Sequence, residues 1–313
     1  MAMPQRSVWA VLACLTVAAA AGRPAVAASP PDPGADPGAD PGADPAADNP
    51  AAPDTTVDRL VNDANNPLTP KVTLNLQDYF TPVLNRTPGR QSNEFLFRGL
   101  TPAEVFGVPQ LIRFTLPVYT NPTFPSGSAT GLGDFSLYEL FVYRLSESTI
   151  FSAGPVLVAP TATSTATGAG KWQTGAAVLA VGEHPWGLTA GLLTYQHSFG
   201  GDPSRPTAQQ ITAQPILTYN IPGAFYLRST GILAFNLGGG PGGHTSVIPI
   251  GFGIGKVWTL GPLTFNLFAE PQYSVIRSGV GVPTWQIFTG FNLQIALSAI
   301  WHAAASVGRS STD

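Results

Sequence analysis

From Val72 to Leu297 apolar and polar residues alternate with a period of two, segment after segment. In one stretch Leu263, Phe265, Leu267, Ala269, Tyr273 and Val275 share a parity, while Thr264, Asn266, Glu270, Gln272 and Ser274 share the other, with Phe268 as the exception. Further on, Trp285, Ile287, Phe291, Leu293, Ile295 and Leu297 alternate with Gln286, Gly290, Asn292 and Gln294. Successive side chains of a strand point to opposite faces, so the pattern predicts strands with one apolar and one polar face. About twelve such segments can be marked, an even number as in bacterial barrels. They are Val72–Phe80, Ser92–Leu100, Gln110–Tyr119, Gly131–Tyr143, Thr149–Ala159, Trp172–Val181, Trp186–Phe199, Thr207–Asn220, Ala224–Phe235, Ser246–Trp258, Leu263–Val275 and Thr284–Leu297. Most have the roughly ten residues that a tilted strand needs to cross a bilayer, and no apolar run beyond Asn66 reaches the roughly 18 residues of a spanning helix.

The connections add an independent signal. Thr120–Thr130, Pro160–Lys171, Gly200–Pro206, Asn236–Thr245 and Ile276–Pro283 are long, and between them Arg144–Ser148, Gly182–Pro185, Ile221–Gly223 and Thr259–Pro262 are short. Outer-membrane barrels have long outer loops and short periplasmic turns. The expected fold is therefore all-β: a transmembrane, antiparallel, up-and-down β-barrel over residues 67–297.

Aromatics stand where these strands leave the apolar band. Tyr143, Trp186, Tyr219, Phe225 and Trp258 lie beside short turns, and Tyr119, Trp172 and Trp285 beside long loops, as two interfacial girdles would. An Arg facing lipid at the midplane costs about 2–4 kcal/mol. Arg228, opposite in parity to Phe225, Leu227, Leu233 and Phe235, should therefore point into the lumen, and Glu270 with it. The candidate lumen lining is Glu94, Arg98, Arg113, Arg228, Glu270 and Gln272, a mixture of signs that predicts no strong charge selectivity. Lys256 shares parity with Ile250, Phe252 and Ile254 but lies near a strand end, from which it can snorkel. Glu139 shares parity with Phe135, Leu137, Phe141 and Tyr143, which points to a bulge or a local register change there.

Composition agrees with turn-rich β structure. Charged residues make up 11% of the 313, with 34 Gly and 31 Pro, and both of the latter damage helix interiors. The net charge of −3 hides an asymmetry, because eight of the 18 acidic residues lie between Asp32 and Asp63. No basic patch suggests nucleic acid. Residues 1–27 read as a secretory signal peptide: Arg6, an apolar stretch from Ser7 to Gly22, and the cleavage site Ala25-Val26-Ala27. A rival lipoprotein reading, on Val11-Leu12-Ala13 before Cys14, would cut the apolar run in its middle. Cleavage after Ala27 removes the single cysteine, and with it thiol chemistry. In residues 28–66 the unit Asp-Pro-Gly-Ala recurs, and such a segment is expected to be an extended, disordered, acidic linker. Residues 298–313 form an Ala-rich tail, where barrels of this kind commonly finish on an aromatic residue.

Catalytic signatures are missing. Gly168-Ala169-Gly170-Lys171 fails the phosphate-loop pattern at Thr165 and Trp172 and reads as a hairpin loop. Gly251, Gly253 and Gly255 alternate with Ile250, Phe252 and Ile254 in a strand, so they are small lumen-facing positions rather than a dinucleotide fingerprint. His184, His197, His244 and His302 have no metal-ligand spacing. Ser198 and His197 are strand neighbours on opposite faces and cannot form a nucleophile–base pair. The expectation is no enzyme, no catalytic residue, no cofactor and no metal.

Asn66-Pro67-Leu68, Gly131-Leu132-Gly133-Asp134, Gly154-Pro155, Pro160-Thr161-Ala162-Thr163, Gly170-Lys171-Trp172, Gln214-Pro215, the run Pro249–Val257 and Glu270-Pro271-Gln272-Tyr273 carry a family resemblance. In this order they resemble a family of outer-membrane transporters, some labelled "neuromedin U" and others named for the MetA pathway of phenol degradation. The resemblance implies a signal-bearing barrel that passes small, even hydrophobic, compounds, and it brings no catalytic residues. The leading expectation is a porin-like passive channel or transporter in the outer membrane of a Gram-negative bacterium. Its partners would be the lipid bilayer, the barrel-assembly machinery and a small-molecule permeant. The alternatives are a structural or surface-binding barrel without flux and, third, a membrane-embedded hydrolase.

Overall fold

The computed structural model describes residues 55–239 and 243–296. The expected signal peptide, the Asp-Pro-Gly-Ala repeat and the C-terminal tail lie outside the described residues. Strands β1 (Lys71–Leu84), β2 (Ser92–Val105), β3 (Val108–Pro122), β6 (Thr149–Ala159), β7 (Lys171–His184), β8 (Gly187–Gly201), β9 (Gln209–Ile221), β14 (Leu263–Ser278) and β15 (Pro283–Ala296) are continuous. Three further staves are broken in two: β4 (Ser128–Leu132) with β5 (Phe135–Arg144), β10 (Phe225–Ser229) with β11 (Leu233–Asn236), and β12 (Thr245–Gly251) with β13 (Gly253–Leu260). The result is a closed barrel of 12 staves. Each stave pairs antiparallel with its chain neighbours, and β1 closes the ring on β15. Every predicted segment coincides with one stave. Closure leaves no unpaired sheet edge.

The connections at one end of the ring are mostly shorter than those at the other. Residues 106–107, 145–148, 185–186, 222–224 and 261–262 turn at one end, while 85–91, 123–127, 160–170, 202–208, 237–244 and 279–282 link strands at the other. The predicted parities also hold. On β14 Thr264, Asn266, Phe268, Glu270, Gln272 and Ser274 are buried inside, so Phe268, the exception in the pattern, is an interior aromatic. Lys256 faces outward, its ammonium 4.5 Å from the centre of the Phe225 ring, as a snorkelling residue near a strand end would.

Glu139 corrects an expectation. The register of β5 runs unshifted against both β3 and β6, so no bulge turns it inward. It keeps the outward parity of Leu137 and Phe141. The irregularity lies in the neighbour instead, where Gly154 lets the β6 backbone approach so closely that an added Cβ would sit 1.8 Å from the Glu139 carbonyl oxygen.

A second correction concerns the linker. Its C-terminal part, Thr55–Asn65, is a helix, α1. Val61 and Ala64 pack against the interior side chains Tyr79, Leu96, Tyr226, Val257, Phe268 and Phe288, which places α1 inside the short-turn end of the barrel. Burying Val61 contributes about 1.5–3 kcal/mol, and polar contacts hold the rest. Asn62 Nδ2 donates to the His184 carbonyl (2.8 Å), Asn66 Nδ2 to Glu183 (2.7 Å), and Asn220 Nδ2 to Asn62 (3.0 Å). Isolated helices of this length are marginal in water, so this one exists because the barrel wall receives it.

Candidate functional site

The interior above α1 holds the candidate site. A cavity of about 500 Å³ opens towards the long loops, lined by inward residues of β2, β3, β5, β8 and β9 and by residues 166–169 of the β6–β7 loop. That loop is folded inward and fixed from several sides. Asp134 accepts from the Ala162 and Ala169 backbone N–H groups (3.2 and 2.7 Å), Asn121 donates to the Ala166 carbonyl, and Arg205 donates to the carbonyls of Thr165, Gly168 and Ala169. Gly168–Lys171 is thus a barrel-mouth loop with no helix after it. A second cavity of about 140 Å³ lies between this space and the helix end. Arg98, Arg113 and Gln214 line both cavities, and so form the neck between them.

The acidic and basic groups of the large cavity are separated along the axis. Glu94, four residues from Arg98 towards the long-loop end of β2, accepts a hydrogen bond from Tyr119 Oη at 2.9 Å. At the neck, Arg98 Nη1 donates to Gln77 Oε1 at 2.8 Å, and the Arg113 guanidinium lies 4.0 Å from the centre of the Tyr138 ring. The Nε–H of each arginine is buried without a hydrogen-bond partner. Among the described residues the ion pairs are Lys71–Asp63 and Arg228–Glu270, so neither neck arginine has a carboxylate.

Arg228 and Glu270 are arranged quite differently. They lie on β10 and β14, with β13 between them, yet Arg228 Nε donates to Glu270 Oε2 at 2.8 Å. The glycines of the intervening stave permit this: a Cβ at Gly251 or Gly253 would collide with the Glu270 side chain, and one at Gly255 with the Tyr226 ring. Glu270 also accepts from Thr230 N–H (2.8 Å), Thr230 Oγ1 (2.7 Å) and Gln272 Nε2 (2.9 Å). The Arg228 guanidinium stacks 3.5 Å from the centre of Phe268. Below, Tyr226 Oη donates to Asn266, whose Nδ2 reaches the Ala64 carbonyl of α1. Glu270 is 0% exposed and Arg228 8%, so the carboxylate is fully packed and only Arg228 borders the small cavity.

Of the six residues expected in the lumen, Glu94, Arg98 and Arg113 line the large cavity, and Arg228 borders the small one. Glu270 and Gln272 are inside but fully packed, with Gln272 accepting from Gln286 Nε2. Tyr119, expected in the outer aromatic girdle, instead faces the cavity beside Glu94, because inward parity on β3 runs through Arg113, Thr115 and Pro117. Sequence reasoning assigned no role to Gln214, Tyr138 or Asp134. Gln214 does lie in the expected strand Thr207–Asn220, opposite in parity to Ile211, Ala213 and Leu217. Trp172, Trp186, Tyr143, Tyr219, Trp258 and Trp285 are exposed on the outside, where interfacial girdles require them. Among the described residues no group of His, Cys, Asp and Glu could hold a metal ion.

No protein-family model and no curated protein matches the chain. Among solved structures, the chain is similar to the COG4313 outer membrane channel from Pseudomonas putida F1, at 15% identity and a TM-score of 0.55, over 72% of this chain and 95% of that one. It also aligns with the NanC porin (10% identity, TM-score 0.43, 72% of this chain, all of that one) and the KdgM porin (8%, 0.41, 72% and 98%). With the closed ring of 12 staves, the first of these likenesses establishes the fold as an antiparallel β-barrel of the outer-membrane type.

Proposed function

We propose that the protein is a passive outer-membrane channel or transporter for small compounds with substantial apolar surface, of the transporter family that its ordered motifs resemble. The observation that carries this reading is the stacked pair of interior cavities with a shared neck at Arg98, Arg113 and Gln214. A barrel that served only as a scaffold would be filled by side chains. The wall of the larger cavity is mostly polar and charged, with Tyr138, Leu192 and Ile232 among the Thr, Gln, Arg and carboxylate side chains, which suits a small permeant that carries a polar group on an apolar body. The exposed belt of aromatics and the run Ile250, Phe252 and Ile254 on the outer face support insertion in a bilayer. The outer-membrane location rests on that belt, the fold and the secretory leader.

Helix α1 stands across the short-turn end, so the state described is a narrow or closed one. In planar bilayers the purified chain should give small discrete conductance steps, and removing residues 55–65 should enlarge them. A chain that inserts and conducts nothing, with or without α1, would overturn the channel reading in favour of a barrel without flux.

A further inference from the structure

Three interior arginines can be compared directly. Arg228 is complete: its Nε–H meets the Glu270 carboxylate and its Nη2 meets Thr230 Oγ1. Arg98 and Arg113 are held by Gln77 and by the Tyr138 ring, yet the Nε–H of each is buried without a partner. Arg98 faces Thr115 across the β2–β3 ladder and Arg113 faces Leu100. The two arginines are therefore diagonal neighbours on one face, about 7–8 Å apart at Cα and somewhat less at Cβ. Two guanidinium groups at that spacing repel each other, and neither has a counter-charge in contact. Burial of a charge is tolerated when it is paired and hydrogen-bonded. The planar fork of a guanidinium matches the two coplanar oxygens of a carboxylate.

We propose that Arg98 and Arg113 bind the carboxylate of a small organic monoacid, whose apolar body rests in the cavity above against Leu96, Tyr138, Val158, Leu192 and Ile232. The site deepens the channel reading, and rests on it for its purpose, by naming the substrate class. The surroundings select within the anions. Glu94 and Asp134 line the same cavity towards the mouth, so a dianion meets two carboxylates on its way to the two arginines, whereas a monoanion loses less. Leu192, Ile232 and the Tyr138 ring give a mostly polar wall a few apolar contacts, which a hydrocarbon body can use and inorganic anions cannot. A volume of about 500 Å³ lies within the range of small-molecule pockets and admits a ring of benzoate size.

The experiment is calorimetric titration of the purified full chain in detergent with sodium benzoate, with benzamide as the neutral isostere and inorganic phosphate as the small-anion control. Saturable benzoate binding is expected, with benzamide weaker by roughly tenfold or more, because hydrogen bonds to a charged group are the strong ones. Phosphate should displace benzoate no better than chloride does. Arg98→Gln and Arg113→Gln should each weaken benzoate by roughly tenfold, in protein whose heat-modifiable migration shows a folded barrel. No saturable benzoate binding, equal binding of benzamide, preference for phosphate, or variants that bind as the parent does would each overturn the proposal. The comparison of benzoate with benzamide needs no variant, so it decides even if a substitution prevents folding. Arginine-dependent binding in a chain that passes no current would leave the site standing and the channel reading fallen; current without benzoate binding would do the reverse.

Discussion

The two ends of the barrel interior solve the problem of buried polarity in opposite ways. At the short-turn end every prominent charge is answered: Glu270 takes four hydrogen bonds, Arg228 lies between Glu270 and Phe268, and Asn266 ties Tyr226 to α1. From the neck towards the long loops the space is open, and at the neck the Arg98 and Arg113 Nε–H groups have no partner. A satisfied network rigidifies, and a partly satisfied one is costly unless something else completes it. The lower part of the interior is therefore built to hold its shape, and the part from the neck upward is left open, as the proposed binding of a solute requires. This contrast reassigns one pair. Arg228 and Glu270, which parity alone offers as selectivity residues, act as a brace, and the exposed chemistry of the lumen falls to Glu94, Arg98, Arg113 and Asp134.

The largest effect should come from breaking the brace. Glu270→Ala leaves Arg228 buried without its carboxylate and Thr230 N–H without an acceptor, and removing one partner of a buried pair costs about 3–5 kcal/mol. A drop of that order in the unfolding free energy, measured by denaturant titration in detergent, is expected, with little change in the reversal potential of any remaining current. Unaltered stability with shifted selectivity would return the pair to the bore.

A smaller loss should follow from filling the space that the glycines leave. A Cβ at Gly255 would lie 2.3 Å from Tyr226 Cζ, so Gly255→Ala forces the ring from its place above Asn266 and costs about 1–3 kcal/mol by overpacking. Gly200→Ala serves as the control, because no atom lies within 4 Å of its added Cβ. Equal stability of the two variants would show that the close approach across β13 is not needed.

The link between brace and helix can be cut on its own. Asn266→Ala removes the donor to the Ala64 carbonyl and the acceptor of the Tyr226 hydroxyl. The buried Tyr226 hydroxyl is left without its acceptor, at a cost of about 1–3 kcal/mol, while the Ala64 carbonyl keeps Gln294 Nε2 as a donor. The loss should fall on α1 in particular, so faster hydrogen exchange in residues 55–66 and larger or more frequent conductance steps are expected. Unchanged exchange in the helix would mean that Asn62, Asn66 and Gln294 suffice to hold it.

How much of this was open to sequence reading follows from the range of each interaction. The staves were legible because alternation is local and a one-residue slip would expose the polar face to lipid. The inward direction of Arg228, Glu270 and Gln272 followed from the same parity. Helix α1 was not legible. Its sequence, TTVDRLVNDAN, offers a narrow apolar stripe next to a Pro-rich repeat, and the contacts that stabilise it come from Glu183, His184, Asn220 and Asn266, far along the chain. Tyr119 escapes the girdle pattern because its place near a strand end points outward while its parity, shared with Arg113, Thr115 and Pro117, points inward. That Arg228 and Glu270 touch was also beyond the pattern. The alternating glycines 251, 253 and 255 were visible as small inward positions, but only the ring closure shows which side chains cross them.

The smallest effect concerns the mouth, where the upper region borrows some of the order of the lower. Arg205 joins the β8–β9 loop to the β6–β7 loop by donating to the Thr165, Gly168 and Ala169 carbonyls. Asp202 shapes the turn before it, accepting from Ser204 Oγ (2.7 Å) and Ser204 N–H (2.9 Å). Those two hydrogen bonds hold the Asp202 carboxyl below its ordinary value, the hydroxyl contributing first. A depressed carboxylate contributes stability that is present above its unfolded pKa, about 3.9, and is lost as pH falls through the lower folded value. The turn should therefore be unaffected between about pH 7 and pH 5 and loosen only in stronger acid. Arg205→Ala should loosen the same loop at neutral pH, where Asp202 remains ionised, at a cost of about 0.5–1.5 kcal/mol, because the carbonyls it leaves at the mouth can turn to water. The measurement is current noise in planar bilayers, which reads motion of residues 166–169 at the cavity mouth. Raised noise in Arg205→Ala at neutral pH, and quiet parent channels down to about pH 5, are expected. Parent channels that become noisy between those two values would place the titrating group elsewhere in the mouth, and an Arg205→Ala channel as quiet as the parent would show that Asp134 alone holds the loop.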